Sequence, residues 1–162
     1  MVRFPLTLSD RFMALDAGAN AQTNEVMNQD YPSTLESVDA AEQKILEAAE
    51  QVGFDEDTRH DIGMSVRECM VNAVVHGNRY NKNKQVRVRV STSADAFRIS
   101  ILDQGEGFEI QEVPDPLHDT NLLRHSGRGL FLMGAFMDDV SVRKADPVGT
   151  EVVLVKKIPP AA

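Results

Sequence analysis

The 162 residues suffice for one domain that buries its own core. They are 42% hydrophobic and 26% charged, and no run approaches the roughly 18 apolar residues of a membrane-spanning helix. The net charge of −8 lies wholly in residues 1–60, with 12 acids against 4 bases, while residues 61–162 hold 13 of each. Binding to phosphate backbones wants a basic face, so this acidic excess argues against nucleic acid as a direct partner. The acidic stretch is either a solvated helix or a docking surface. Residues 1–20 lack a sustained apolar segment and carry Asp10 and Asp16, so no secretory signal is read there. The lone Cys69 fits a reducing, cytoplasmic setting, and its place in a helical pattern predicts a small buried hydrophobe.

In chain order, residues 1–29 are weakly periodic and read as an N-terminal extension, partly disordered, with a strand allowed near Glu25 to Tyr31. A first helix is predicted from about Ser33 and Thr34, where Leu35, Val38, Ala41, Ile45, Ala49 and Val52 recur at three- and four-residue steps until Gly53. Asp55 is placed to cap a second helix, with Glu56 and Asp57 in its first turn, running to about His76. Two alternating runs follow. Val86, Val88 and Val90 interleave with Arg87 and Arg89, and Phe97, Ile99 and Ile101 with Arg98 and Ser100, which predicts a hairpin covered on one face. Residues 104–126 are rich in Gly, Pro, Asp and His, and so long a connection suggests a functional lid. A short apolar helix over 129–137 and two strands at 139–144 and 150–157 complete the domain, taken as residues 30–158 with a tail at 159–162. The order predicts an α+β two-layer sandwich, with helices packed on one face of a mixed, mainly antiparallel sheet.

Chemistry collects at four places. On the second helix Ile62, Val66, Cys69, Met70 and Ala73 make an apolar stripe, and Met64, Val71, Val74 and Val75 extend it around most of the surface. Glu68, Asn72 and His76 nevertheless stand at four-residue steps, either as a surface line between two contacts or as groups awaiting a ligand. Asp103 ends an apolar strand just before Gly105 and Gly107, an arrangement that serves a plain turn or a close-approaching ligand. Gly127, Arg128, Gly129 and Leu130 open the next helix, where free amides attract phosphate and Arg128 adds a charge-assisted bond. Gly149 and Thr150 start the final strand. His60, His118 and His125 do not form a metal set and read as solvated side chains.

Taken in order, Glu68-x-x-x-Asn72-Ala73 with His76-Gly77, Asp103-x-Gly105-x-Gly107-Phe108, Gly127-x-Gly129-Leu130 and Gly149-Thr150 resemble the N, G1, G2 and G3 boxes of the GHKL ATPases. The resemblance covers about residues 30–157 and implies the Bergerat ATP-binding fold. The segments VRECMVNAVVHGN and GRGLFLMGAFMDDVSV are similar to the stand-alone anti-sigma-factor serine kinases of the stress-response and sporulation type. The chain has no room for the phosphoacceptor helices of a sensor kinase or the transducer domain of gyrase. Residues 1–29 have no counterpart in this pattern, and Arg128 stands at a position that varies across the superfamily.

The resemblance implies ATP and Mg2+ as cofactors. Asp103 would receive the adenine amino group, with Thr150 in the same network, and Asn72 would hold the metal. Gly105 and Gly107 would let the nucleotide approach, the amides of Gly127, Arg128, Gly129 and Leu130 would cradle phosphate, and His76 and Phe108 would line the nucleotide. Glu68 would be the general base, which a hydroxyl nucleophile needs. The implied activity is that of an ATP-dependent protein serine kinase and anti-sigma factor. Its expected partners are a sigma factor, a small antagonist protein whose serine is phosphorylated, and a second copy of the chain. A homodimer would also give Arg87, Arg89 and Arg98 acids to meet, from the N-terminal part of the other subunit. A non-catalytic nucleotide-binding interaction module is the alternative, and a detached ATP-binding domain of a phosphorelay, which needs no carboxylate base, is a third.

Overall fold

The computed structural model describes residues 22–106 and 132–160. Strand β1 (Asn24–Pro32) leads into helix α1 (Leu35–Val52) and helix α2 (Glu56–Val71), which runs on into a π-helical turn, Asn72–Gly77. Strands β2 (Gln85–Thr92), β3 (Ala96–Leu102), β4 (Asp139–Lys144) and β5 (Thr150–Lys157) follow, with residues 132–136 helical just before β4. The sheet order is β1-β2-β3-β5-β4 and all four pairings are antiparallel, so the mixed character expected from the sequence is not seen among the described residues. β1 is the strand that the sequence reading allowed near Glu25 to Tyr31, and it draws residues 24–29, counted there with the extension, into the sheet.

The helix boundaries have local causes. Thr34 enters α1 from extended backbone, and Ser37 Oγ donates to the Pro32 carbonyl at 2.7 Å, fixing the corner out of β1. Gly53 ends α1 at φ 99°, a left-handed conformation natural to glycine, and its N–H closes on the last turn. Asp55 Oδ1 accepts from the Thr58 amide at 2.8 Å and so caps α2. Hydrogen bonding from Thr58, its side chain first and this amide second, holds the Asp55 carboxyl below its ordinary pKa.

Both layers bury the side chains their periodicity marks. Val38, Ala41, Ile45 and Ala49 of α1, with Ile62, Val66, Cys69 and Met70 of α2, pack onto Val86, Val88, Val90, Phe97, Ile99, Ile101 and Leu154 of the sheet. Phe54 meets the Phe97 ring edge-on, centroids 5.6 Å apart. Leu35 departs from its pattern and is 50% exposed, because the first turn overhangs a surface hollow that it shares with Pro32 and Tyr80. Cys69 is buried as expected, and desolvation pushes its thiol well above the usual range.

The basic face of the hairpin carries a correction. Arg87 bonds Asp30 Oδ1 at 2.8 Å and Arg89 bonds Glu25 Oε2 at 2.8 Å, both on the neighbouring strand β1 of the same chain. Asp30 stands directly opposite Arg87, while Arg89 faces Asn28 and reaches Glu25 diagonally past a bulge, so these two arginines need no acids from a second subunit. The acidic helices are braced likewise by Arg67, which reaches Asp39 and Glu42 of α1, each at 2.6 Å.

Candidate nucleotide site

At the end of β3 the chain turns through Asp103, Gln104 and Gly105. The β3–β5 register sets Leu102 opposite Glu151, so the next pair is Asp103 and Thr150, 47 residues apart in sequence. The Asp103 amide donates to the Thr150 carbonyl at 3.0 Å, and the Thr150 amide returns a bond to Asp103 Oδ1 at 3.0 Å. Gly105 N–H adds a third at 2.9 Å, again to Oδ1. The carboxylate is only 7% exposed. Burial is the largest influence on it and raises its pKa against the two backbone donors and the more distant Lys84.

Three glycines form the walls. A Cβ on Gly77 would run into Asp103 Oδ2, one on Gly105 into the Gly77 carbonyl, and one on Gly149, at φ 114°, into the Asp103 carbonyl. The end of the α2 segment and the turn after β3 therefore touch backbone to backbone, with the carboxylate between them. Oδ1 is held by amides, and Oδ2 faces the Cα of Gly77.

The α2 segment was expected to stay α-helical to about His76. Instead it changes at Asn72, and the Asn78 amide reaches back five residues to the Ala73 carbonyl at 2.8 Å. The wider turn means that a four-residue step no longer stacks His76 beneath Asn72. Glu68 and Asn72 are half-buried and His76 is exposed. Asn72 Oδ1 is buried with no hydrogen-bond partner among the described residues, which makes it an oxygen suited to a hard cation. Among the described residues no three His, Cys, Asp or Glu side chains gather as a metal cage. That donor set fits Mg2+, which takes few protein ligands and completes its shell with phosphates and water.

Of the residues singled out in the sequence, the structure brings Asp103, Gly105 and Thr150 into one bonded cluster, and sets Glu68, Asn72 and His76 on the segment that abuts it. Gly107, Phe108, Gly127, Arg128, Gly129 and Leu130, most of the lid and residues 1–21 lie outside the described residues. Sequence reasoning missed Asn78, read only as a helix stop, although it is 1% exposed and accepts the Gln104 amide at 2.8 Å. It also left Gly77 and Gly149 in the box pattern without a role. The signal available was a glycine at each place where two box segments would cross.

A helical layer on one face of an antiparallel sheet, with an acid buried at a strand end beside glycines and a polar helix end, is the arrangement of a two-layer ATPase sandwich. The chain belongs to the histidine kinase-like ATPase domain family, whose profile matches residues 31–156. The serine-protein kinase RsbW of Oceanobacillus iheyensis is 30% identical over 126 residues, spanning 71% of this chain and 80% of the relative. The anti-sigma F factor of Clostridium perfringens is 33% identical over 100 residues, spanning 60% and 71%. Among solved structures, a chain of the SiaB–SiaC complex from Pseudomonas aeruginosa superposes with a TM-score of 0.59 at 13% identity. It covers 97% of this chain and 100% of its own length, a likeness of fold.

Proposed function

We propose that the protein is an ATP- and Mg2+-dependent protein serine kinase that phosphorylates a small antagonist protein and binds a sigma factor in alternation with it. The observation that carries this is the Asp103 cluster beside Asn72, whose buried oxygen has no partner, in a chain about 30% identical to a protein named as a serine-protein kinase. A homodimer working in the cytoplasm goes with the same reading. Its ground is the likeness to the kinase relatives.

In this mechanism Asp103 accepts the adenine amino group through Oδ2, while Oδ1 keeps its bonds to Gly105 and Thr150. Gly105 and Gly107 leave room for the nucleotide, and His76 and Phe108 line it. The amides of Gly127 to Leu130, with Arg128, would hold phosphate oxygens. Asn72 Oδ1 would bind Mg2+, which neutralises phosphate charge and orients the terminal group. Glu68, one helical turn before Asn72, takes the proton of the substrate serine hydroxyl. The serine oxygen then bonds to the terminal phosphorus, the bond from that phosphorus to the bridging oxygen breaks, and ADP leaves.

The test is phosphate transfer from radiolabelled ATP to antagonist candidates captured with the protein in ATP and in ADP. Glu68→Ala should leave nucleotide binding nearly intact and slow transfer by about 10²–10⁴-fold, the usual worth of a positioned base. Asn72→Ala should damage binding and transfer together. Transfer by Glu68→Ala at the wild-type rate would remove the base assignment. A wild-type protein that binds ATP yet labels no candidate would favour the non-catalytic module.

A further inference from the structure

We infer that Asn78 is a positioning residue for the nucleotide site, a clasp that fixes the turn bearing Asp103 against the end of the segment bearing Asn72. The inference rests on the nucleotide-binding reading above and concerns how the two halves of that site are kept at a set distance.

The geometry is complete on every side of the amide. Asn78 follows the π-turn, and its own N–H closes that turn on the Ala73 carbonyl at 2.8 Å. Its side chain is buried. Oδ1 accepts the Gln104 amide at 2.8 Å, between Asp103 and Gly105. Nδ2 donates to Ser33 Oγ at 2.9 Å and to the Gln85 carbonyl at 3.0 Å, and Ser33 Oγ itself donates to the Lys84 carbonyl at 2.6 Å. Gln104 completes the circuit, since its Oε1 accepts the Gln85 amide at 2.7 Å. One side chain thus ties together the corner after β1, the start of β2, the end of the α2 segment and the Asp103 turn.

Only a primary amide supplies two donors and an acceptor in this arrangement. An aspartate would lose both donors and bury a charge, and an apolar residue would strip a bond from three backbone or hydroxyl groups. The clasp bears on the ligand because of where its ends lie. Gln104 is the residue after the adenine-binding acid, and Gly77, beside Asp103 Oδ2, is the residue before Asn78. If Gln104 swings away, Oδ2 no longer stays over Gly77, and the spacing between the adenine and phosphate ends changes. Ser33 lies on the far side of Asn78 and touches neither.

The experiment titrates ADP by calorimetry into wild type, Asn78→Ala and Ser33→Ala, each well below its melting temperature. Asn78→Ala should weaken ADP binding about tenfold or more, on the scale of one buried hydrogen bond. Ser33→Ala should melt lower yet bind ADP within about twofold of wild type, a split that a merely structural role would not produce. In wild type the Gln104 amide should exchange far more slowly than an unstructured peptide, and slower still with ADP. That measurement decides the matter even if Asn78→Ala does not fold. Wild-type affinity in folded Asn78→Ala, equal weakening in Ser33→Ala, or unprotected exchange at Gln104 would each overturn the clasp. A wild type that binds no ADP while Gln104 is protected would locate the failure in the nucleotide reading, and the positioning role would fall with it.

Discussion

Replacing Asp103 by asparagine separates what this side chain does for the fold from what it does for a ligand. An asparagine oxygen in the place of Oδ1 keeps the Gly105 and Thr150 amide bonds, at 2.9 and 3.0 Å, so the turn should survive. Its NH2 then stands where Oδ2 faces Gly77 and presents a donor to the adenine amino group, itself a donor. The lost interaction is a hydrogen bond to a charged group, worth about 1.5–3 kcal/mol. At roughly 1.4 kcal/mol per tenfold, affinity for ADP or Mg2+·ATP should fall about 10- to 150-fold. Stability should move the other way or not at all, because burial already disfavours the ionised carboxylate. Calorimetric titration reads the first quantity and thermal melting without ligand the second. Affinity within twofold of wild type in a folded variant would refute the adenine assignment. A large drop in melting temperature with affinity retained would make Asp103 a structural residue.

Four further outcomes follow from the structure. Nucleotide affinity should fall on acidification at a higher pH than an ordinary aspartate would cause, because the proposed acceptor is the ionised acid and its pKa is raised by burial; Asp103→Asn should abolish that pH dependence. Without ligand the linkage has the opposite sign. A raised folded-state pKa contributes stability present below the unfolded value of 3.8 and lost as pH rises through the folded one, as melting curves across that window would show. Gly105→Ala puts a methyl into the Gly77 carbonyl, so it should cost about 1–3 kcal/mol in urea titrations and weaken ADP binding beyond that of a surface glycine variant; unchanged values would mean that the two turns do not touch. Cys69 should resist thiol reagents until the protein unfolds, since it is buried among core side chains with its thiol pKa raised.

The helical layer was legible because its signals are local. Thr34, Gly53 and Asp55 are cap residues that need no tertiary information, and the stripe from Ile62 to Ala73 is a matter of angle along one helix. Strand alternation in residues 86–90 and 97–101 likewise declared its buried face. What was not legible depends on register. That Arg87 meets Asp30 follows from the β1–β2 register, and that Arg89 reaches Glu25 depends on the bulge in β1; without them the basic face read as a surface awaiting a partner's acids. The bonds between Asp103 and Thr150 depend in the same way on how β3 pairs with β5 across 47 residues. The box pattern nominated both residues, but nothing in their own neighbourhoods said that they would touch. Asn78 was hidden for another reason. An asparagine after glycine at a helix end is so ordinary a stop that its burial has no local mark.

The departures from regular structure concentrate where the box residues lie, and the sandwich does not need them to stand. A plain α-helical end to α2 would satisfy the backbone as well as the π-turn does. Instead the segment widens at Asn72, and Arg79 and Tyr80 take positive φ of 50° and 57°, conformations that cost non-glycine residues about 1–3 kcal/mol each. An alanine at 77 would suit a helix end better than glycine does, yet its methyl would occupy the face of the Asp103 carboxylate. Burying an acid is itself unfavourable, and the two amides on Oδ1 offset that only in part, since burial still raises its pKa. In the proposed function a ligand with a donor for Oδ2 and a cation for the buried oxygen of Asn72 would offset the last of these costs and satisfy that oxygen. Such strain fits a binding site better than it fits a scaffold, because a scaffold under selection for stability alone would have shed it.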